Sequence, residues 1–422
     1  MRALRTTPGR ALRFTVLAIL TALLVAAPAR SDAADAAFQK WLAELWPQAQ
    51  TTGIARATFD AATRNLEPDY SLPDLVIPGR PDRAPPSQPE FVLTPADYVK
   101  EATIARLAGQ GKKLLEQHRA TLARIEQEFG VPPAVILAIW GRETSFGGYN
   151  LPHNAIRVLA TQAYVGRRKD MFREELLAAL KIVQDGHIAL ADMKSSWAGA
   201  MGLTQFMPSD YYKFAVDFDG DGKADIWRSV PDALASAGKQ LAGKGWQRGK
   251  RWAYEVRAPS NVDCTIAEPS VTAPIGDWVK RGFQPTFART LSREELAETA
   301  SLLMPEGLYG PAFLTPKNYY VIKDYNFSDL YVLFVGHLSD RIGDARPFET
   351  AWSKDAQMRT AQVETMQKRL TELGFYRDKI DGKAGMLTRS ALGAYQKANG
   401  LKLDCWPTPA VLDHMQGSVK RN

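Results

Sequence analysis

The chain has little of what most metal and redox chemistry draws on. It holds two cysteines, Cys264 and Cys405, and five histidines in 422 residues. Two cysteines do not make a disulfide framework, although an exported pair can bridge. His118, His153, His187, His337 and His414 are scattered without metal-ligand spacing, which leaves no histidine-based metal centre. No glycine loop has the phosphate-binding pattern and no serine sits in a nucleophile elbow. The formal charge is +7, yet no Lys/Arg run is dense enough to take nucleic acid as a partner. Long apolar runs are also scarce. The one that stands out, Phe14 to Ala27, follows Arg2, Arg5, Arg10 and Arg13 and ends in Ala27-Pro28-Ala29. This is the pattern of a secretory signal over residues 1–29, and the run is short for a membrane span. Cleavage after Ala29 removes four arginines and lowers the charge to +3. With no cysteine near that site to carry a lipid, the mature chain is expected in the periplasm, neither a lipoprotein nor membrane-spanning.

What remains is 45% hydrophobic, an ordinary globular composition with room for two or three domains. Apolar periodicity predicts helices over 35–66, 94–129, 131–143, 167–183, 232–241 and 330–341. A proline-rich loop is expected over 68–89. Trp252 to Arg257 alternates as a strand does, and 318–326 also reads as extended. Residues 260–300 show no sustained period. A linker is expected over 346–357. Beyond it, 363–374, 387–399 and a segment from Pro409 read as three short helices of a small C-terminal domain, residues 358–418, large enough to fold alone.

Glu143 is the most informative residue. The segment Val131-Pro-Pro-Ala-Val-Ile-Leu-Ala-Ile-Trp-Gly-Arg-Glu143 opens with prolines suited to a helix's first turn. Three, four and seven residues before Glu143 stand Trp140, Ile139 and Ile136, so its carboxyl lies on an apolar stripe. Burial there favours the protonated form, as a general acid near neutral pH requires. The alternative is a structural Glu paired with Arg142 or Arg157.

Two further segments carry chemistry. Ser196-Trp-Ala-Gly-Ala-Met-Gly-Leu-Thr-Gln-Phe-Met-Pro-Ser209 combines small residues with Ser196, Met201 and Gln205 as groove-lining side chains for a sugar, or else packs tightly as a helix pair. Asp217-Phe-Asp-Gly-Asp-Gly-Lys-Ala-Asp225 has acids at positions one, three and five and glycine at six, the calcium-loop pattern, with a carbonyl from Lys223 at seven. Arg228 stands where a bidentate Glu is usual at twelve, and Asp232 is the carboxylate that can replace it. The ion is expected to be structural, and no organic cofactor is implied. Tyr325 and Asn326 are candidates for stacking on a sugar and for bonding its acetamido group or the Glu143 carboxyl.

In their order, these segments resemble the membrane-bound lytic murein transglycosylase B family. The resemblance rests on Trp140-Gly-Arg-Glu-Thr144, Leu159-Ala-Thr-Gln-Ala-Tyr164 with Arg167-Arg168, Ser196 to Pro208, Asp217 to Trp227, and Tyr325-Asn326. The tail, through Met366-Gln367, Asp381-Gly382, Thr388 and Tyr395-Gln396, resembles a peptidoglycan-binding domain. There Cys405 stands where a glycine usually follows Asp404. Ser195 likewise replaces a usual glycine. The resemblance implies a mainly α (α+β), lysozyme-like catalytic domain over 34–345 with a calcium-loop insertion, working as a monomer on peptidoglycan glycan strands. It implies cleavage of the β-1,4 bond between N-acetylmuramic acid and N-acetylglucosamine to 1,6-anhydromuramyl ends, with Glu143 as acid and then base. It places Ser196, Gln205, Tyr325 and Asn326 in the cleft, and calcium on Asp217, Asp219, Asp221, the Lys223 carbonyl and Asp232. A hydrolase using the same Glu with water, or a non-enzymatic wall-binding scaffold, are the competing readings.

Overall fold

The computed structural model describes residues 30–81, 93–353 and 358–417. The expected signal segment and parts of the 68–89 loop and the linker lie outside the described residues. The N-terminal helical stretch divides into α1 (Arg30–Glu44), α2 (Trp46–Thr51) and α3 (Arg56–Thr63). Pro47 in the first turn of α2 forces a fresh start, because it cannot donate within a continuing helix. The 94–129 stretch likewise becomes α4 (Pro95–Tyr98), α5 (Glu101–Gln117) and α6 (Arg119–Phe129), and Gly130 ends it in the left-handed conformation. Then come α7 (Pro133–Thr144), α8 (Ala155–Val165), α9 (Lys169–Gln184), α10 (Pro208–Phe214) and α11 (Val230–Gly243).

The region without a legible period is where the sheet forms. Two short strands, β1 (His153–Asn154) and β2 (Lys194–Ser195), pair apart from it. The main sheet takes β3 (Tyr254–Arg257), β4 (Thr272–Pro274), β5 (Gln284–Pro285), β6 (Thr299–Leu303) and β7 (Ala312–Thr315) in the order β4-β6-β7-β3-β5, all antiparallel. The alternating stretch at Trp252 to Arg257 forms β3 as expected, while the other strands, of two to five residues, are too short to show alternation. Two small helices, α12 (Ile275–Lys280) and α13 (Arg293–Ala297), interrupt them.

The extended reading of 318–326 is corrected: Lys317–Lys323 is a helix, α14. Tyr319, Val321 and Ile322 favour strands, but they bury against α15 (Asp329–Ile342), and that packing overrides the local preference. Asn318 fixes the helix by bonding the Gln247 amide at 2.7 Å and the Gln247 and Lys250 carbonyls at 2.9 Å.

Two apolar clusters flank the site. One gathers α5, α6, α7, α11, α14 and α15 around Ile104, Leu122, Ile136 and Val335; the other gathers α1, α3, α8 and α9 around Phe38, Phe59, Leu159 and Leu180. Tyr325 packs against both. The tail forms α16 (Thr360–Glu372), α17 (Met386–Ala398) and α18 (Pro409–Gly417) over its own small core. It is bound to the body by a Cys264–Cys405 disulfide closing 141 residues. Tyr309 donates to Asp404 at 2.8 Å, and the Leu308 amide reaches the Asp404 carbonyl at 3.1 Å. Gly307 is required there, since a Cβ would come within 2.1 Å of that carbonyl.

Candidate active site

Helix α7 is buried along Val135 to Gly141, and Glu143 emerges half-buried in its last turn. The chain then reverses through three left-handed residues, Ser145, Phe146 and Gly147, a run of costly conformations for the two non-glycines. The reversal folds the Phe146 ring over Gly141, where a Cβ would meet it at 2.6 Å. Thr144 secures the end by donating to the Leu203 carbonyl at 2.7 Å and accepting from the Gly147 amide at 3.1 Å. The last turn of α7 is thus tied to the 196–209 segment.

Glu143 Oε1 accepts a 2.5 Å hydrogen bond from the Tyr331 hydroxyl on α15. Tyr331 is 2% exposed. Burial first, and then the Glu143 charge, push its phenol well above the usual value, so it remains a donor. Tyr325 is shifted the same way by burial and then by Glu143, and its hydroxyl donates to the Thr204 carbonyl at 2.5 Å. Arg157 bonds the Glu67 and Pro68 carbonyls. Arg142 bonds the Tyr98 hydroxyl at 2.6 Å and lies over the Tyr98, Tyr331 and Phe334 rings. Burial opposes its charge, but Tyr98, Glu143 and Tyr331 outweigh that and raise its pKa.

The 196–209 segment is a set of turns and bridges rather than a helix pair until α10 begins at Pro208. Met201 pairs with Ser195 and Phe206. Gly199 packs on Leu159 and Gly202 on the Ile226 carbonyl, both with positive φ. Gln205 is also left-handed, and its amide bonds the Gly202 carbonyl at 3.0 Å. Ser196 is half-buried and its hydroxyl accepts the Ala200 amide at 3.2 Å. Met201 is a correction: fully buried in the second cluster, its side chain is core and cannot line a groove. Asn326 is half-buried and accepts the Ser328 amide at 3.1 Å. Tyr331 was not anticipated. The available signal was a hydroxyl-bearing ring inside an apolar helix, which must find a partner when buried.

In the acidic loop, Asp217, Asp219 and Asp221 bring carboxylate oxygens within 4.8 Å of one another. Asp217 takes the Gly220 and Gly222 amides, each at 2.8 Å, and both glycines have positive φ. Lys223 donates its amide to Asp221 at 2.9 Å. Asp232 lies outside that triplet, fully buried, with its carboxylate on the Phe218, Asp219 and Asp225 amides at 2.8, 3.3 and 2.9 Å. Arg228 turns away to Asp192 at 2.8 Å. Three converging exposed carboxylates on a glycine-shaped loop fit a hard, oxygen-seeking cation such as calcium.

Residues 37–340 match the family described as Transglycosylase SLT domain, and 359–415 match a peptidoglycan binding domain. Membrane-bound lytic murein transglycosylase B of Escherichia coli is 32% identical over 267 residues, 62% of this chain and 70% of that one. SltB3 of Pseudomonas aeruginosa, solved with NAG-NAM-pentapeptide, superimposes with a TM-score of 0.81 at 38% identity, covering 90% of this chain and 99% of that one. Escherichia coli Slt35, solved with calcium, gives a TM-score of 0.52 at 30% identity over 60% of this chain and 79% of its own.

Proposed function

The chain belongs to the Transglycosylase SLT domain family and is a lytic transglycosylase of peptidoglycan, and from that premise we propose that Glu143 is its acid and base. Protonated Glu143 gives its proton to the glycosidic oxygen between N-acetylmuramic acid and N-acetylglucosamine as the C1–O bond breaks. The substrate's acetamido group stabilises the oxocarbenium-like centre. Glu143, now a carboxylate, takes the proton of the C6 hydroxyl as that oxygen attacks C1, closing the 1,6-anhydro ring. Protons balance within one carboxyl, and no water is consumed. The observation that carries this reading is a half-buried carboxyl at the end of an apolar helix, bonded by the buried Tyr331 hydroxyl. Tyr331 holds the carboxyl in one orientation. Gln205, Tyr325, Asn326 and Ser196 line the cleft in this reading.

Calcium, when bound, supplies charge neutralisation to the acidic loop. Asp217, Asp219, Asp221 and the Lys223 carbonyl hold it, and Asp232 completes the acidic set while anchoring the loop amides. Export to the periplasm completes the reading. It is supported by the composition of residues 1–29 and by a wall polymer as substrate; among the described residues no helix is long and apolar enough to cross a membrane.

The test is mass spectrometry of purified wall after digestion. Anhydro ends are expected from the parent chain, and Glu143→Gln should lose about 10²–10⁴-fold or more in rate, the usual weight of a proton-transfer group. Reducing ends would replace the reading with a hydrolase; near-normal turnover by Glu143→Gln would remove that residue from the chemistry.

A further inference from the structure

Arg142 precedes Glu143 on α7, and successive helical residues point about 100° apart, so the two side chains leave the helix in different directions. Arg142 enters an aromatic cage. Its guanidinium carbon lies 5.1 Å from the Tyr98 ring centroid, 5.2 Å from that of Phe334 and 5.9 Å from that of Tyr331. Its Nε and Nη2 donate to the Tyr98 hydroxyl at 3.2 and 2.6 Å. Tyr98 is 6% exposed, ends the short helix α4 and meets the Phe334 ring edge-on at 5.9 Å. The cage therefore joins α4, α7 and α15.

Packing alone does not call for a cation there. An apolar side chain would fill a space between three rings without the cost of drawing a guanidinium out of water. The charge is instead kept, held by a neutral phenol and by ring faces. One of those rings belongs to the residue that bonds Glu143. Tyr331 is thus gripped at both ends by neighbouring residues of α7: Glu143 Oε1 takes its hydroxyl at 2.5 Å, and Arg142 lies over its ring. Burial and then Glu143 hold the phenol above its usual range, and Arg142 pulls the other way. A cation over a phenol ring draws electron density from the oxygen and makes the O–H a stronger donor.

We propose that Arg142 is a positioning residue for the cleavage reaction: pinned by Tyr98, it fixes the Tyr331 ring and strengthens the hold of its hydroxyl on Glu143. The assignment rests on the reading of Glu143 as acid and base. Arg142 makes these contacts inside the cage, so its removal is felt in the rate and not in the affinity for the wall.

The experiment is a double-mutant cycle on the full-length chain, read as single-turnover rates on purified wall with wall binding measured alongside. Arg142→Met should lose about tenfold in rate and Tyr98→Phe about threefold, the weight of a cation on a ring face, with wall affinity unchanged. In a Tyr331→Phe background, which has already lost the hydroxyl, each should cost less than about twofold more. No loss of rate in either variant, or equal losses in both backgrounds, overturns the proposal; equal losses would mean that Arg142 acts on the fold and not through Tyr331. Should Arg142→Met fold poorly, Tyr98→Phe decides the matter, since it removes one oxygen and keeps every ring. Isotope-labelled tyrosine, read at Cζ by NMR, gives a second measurement that needs no turnover. The Tyr331 resonance, assigned by its loss in Tyr331→Phe, should move in Arg142→Met and in Tyr98→Phe, and a fixed resonance also overturns the proposal. Residual turnover in Glu143→Gln would instead defeat the catalytic assignment and leave the resonance shift standing.

Discussion

A buried tyrosine hydroxyl on a carboxylate fixes the position of that carboxylate. Hydrogen bonds to charged groups are worth about 1.5–3 kcal/mol, so Tyr331→Phe should lower kcat about 10–100-fold. Single-turnover rates on purified wall should show that loss with affinity for the wall little changed, and a rate within about twofold of the parent would show that the bond does not position the carboxyl. Met201 illustrates the opposite case, a residue whose place in a functional segment reflects packing alone.

At the scale of elements, α15 and the acidic loop each carry a measurable consequence. His337 on α15 is 2% exposed, stacks on Phe348 at 3.9 Å and bonds Glu101 at 2.9 Å. Burial lowers its pKa, outweighing the opposing pull of Glu101 and Asp340, while Arg341 adds to the lowering. The unfolded imidazole takes a proton near 6.5 and the folded one only at lower pH. The unfolded state thus binds more protons in that window, and stability falls as pH drops below about 6.5. Melting curves at pH 7.5 and 5.5 should separate in the parent chain and separate less in His337→Gln. For the loop, a ligand that binds only the folded state raises stability by mass action. Calcium should raise Tm relative to chelator, and Asp219→Ala should abolish the difference. Coincident curves in the parent chain would argue against an ion there.

The whole molecule is held together in a way that its segmentation does not advertise. The tail's three helices have their own core, but Cys405 belongs to the apolar cluster of the sheet. Cys405 is left-handed, with φ of 51°, which accounts for a glycine being usual at that place. This chain accepts the strained conformation and gains a bridge. In the chain-entropy account, closing 141 residues is worth about 5 kcal/mol. Cys405→Gly should relieve the backbone yet lower Tm clearly and expose one free thiol on Cys264. Truncation at residue 353 should likewise destabilise the body and not merely reduce binding to insoluble wall. A truncated chain as stable as the parent would show that the tail is an appendage after all.

Sequence alone determined most of the long helical stretches, though not α8 or the breaks within 35–66 and 94–129, together with the acidic loop and the position of Glu143. Each is written in local periodicity or spacing: Ile136, Ile139 and Trp140 recur on one helical face, and Asp217, Asp219 and Asp221 fall at every second residue before a glycine. The alternation of Trp252 to Arg257 showed β3, but the other four strands are too short to show alternation, so the rest of the five-stranded sheet over 254–315 was invisible. Tyr319, Val321 and Ile322 pointed to a strand until their contact with α15 made them a helix. The Tyr331–Glu143 bond spans 188 residues and the Cys264–Cys405 bridge spans 141. No local rule specifies which of several buried hydroxyls will reach a given carboxylate, or whether two distant thiols will meet. Only the packing of α15 on α7 and of the tail on the sheet decided those, because such contacts are set by the summed burial of whole elements rather than by any short stretch of chain.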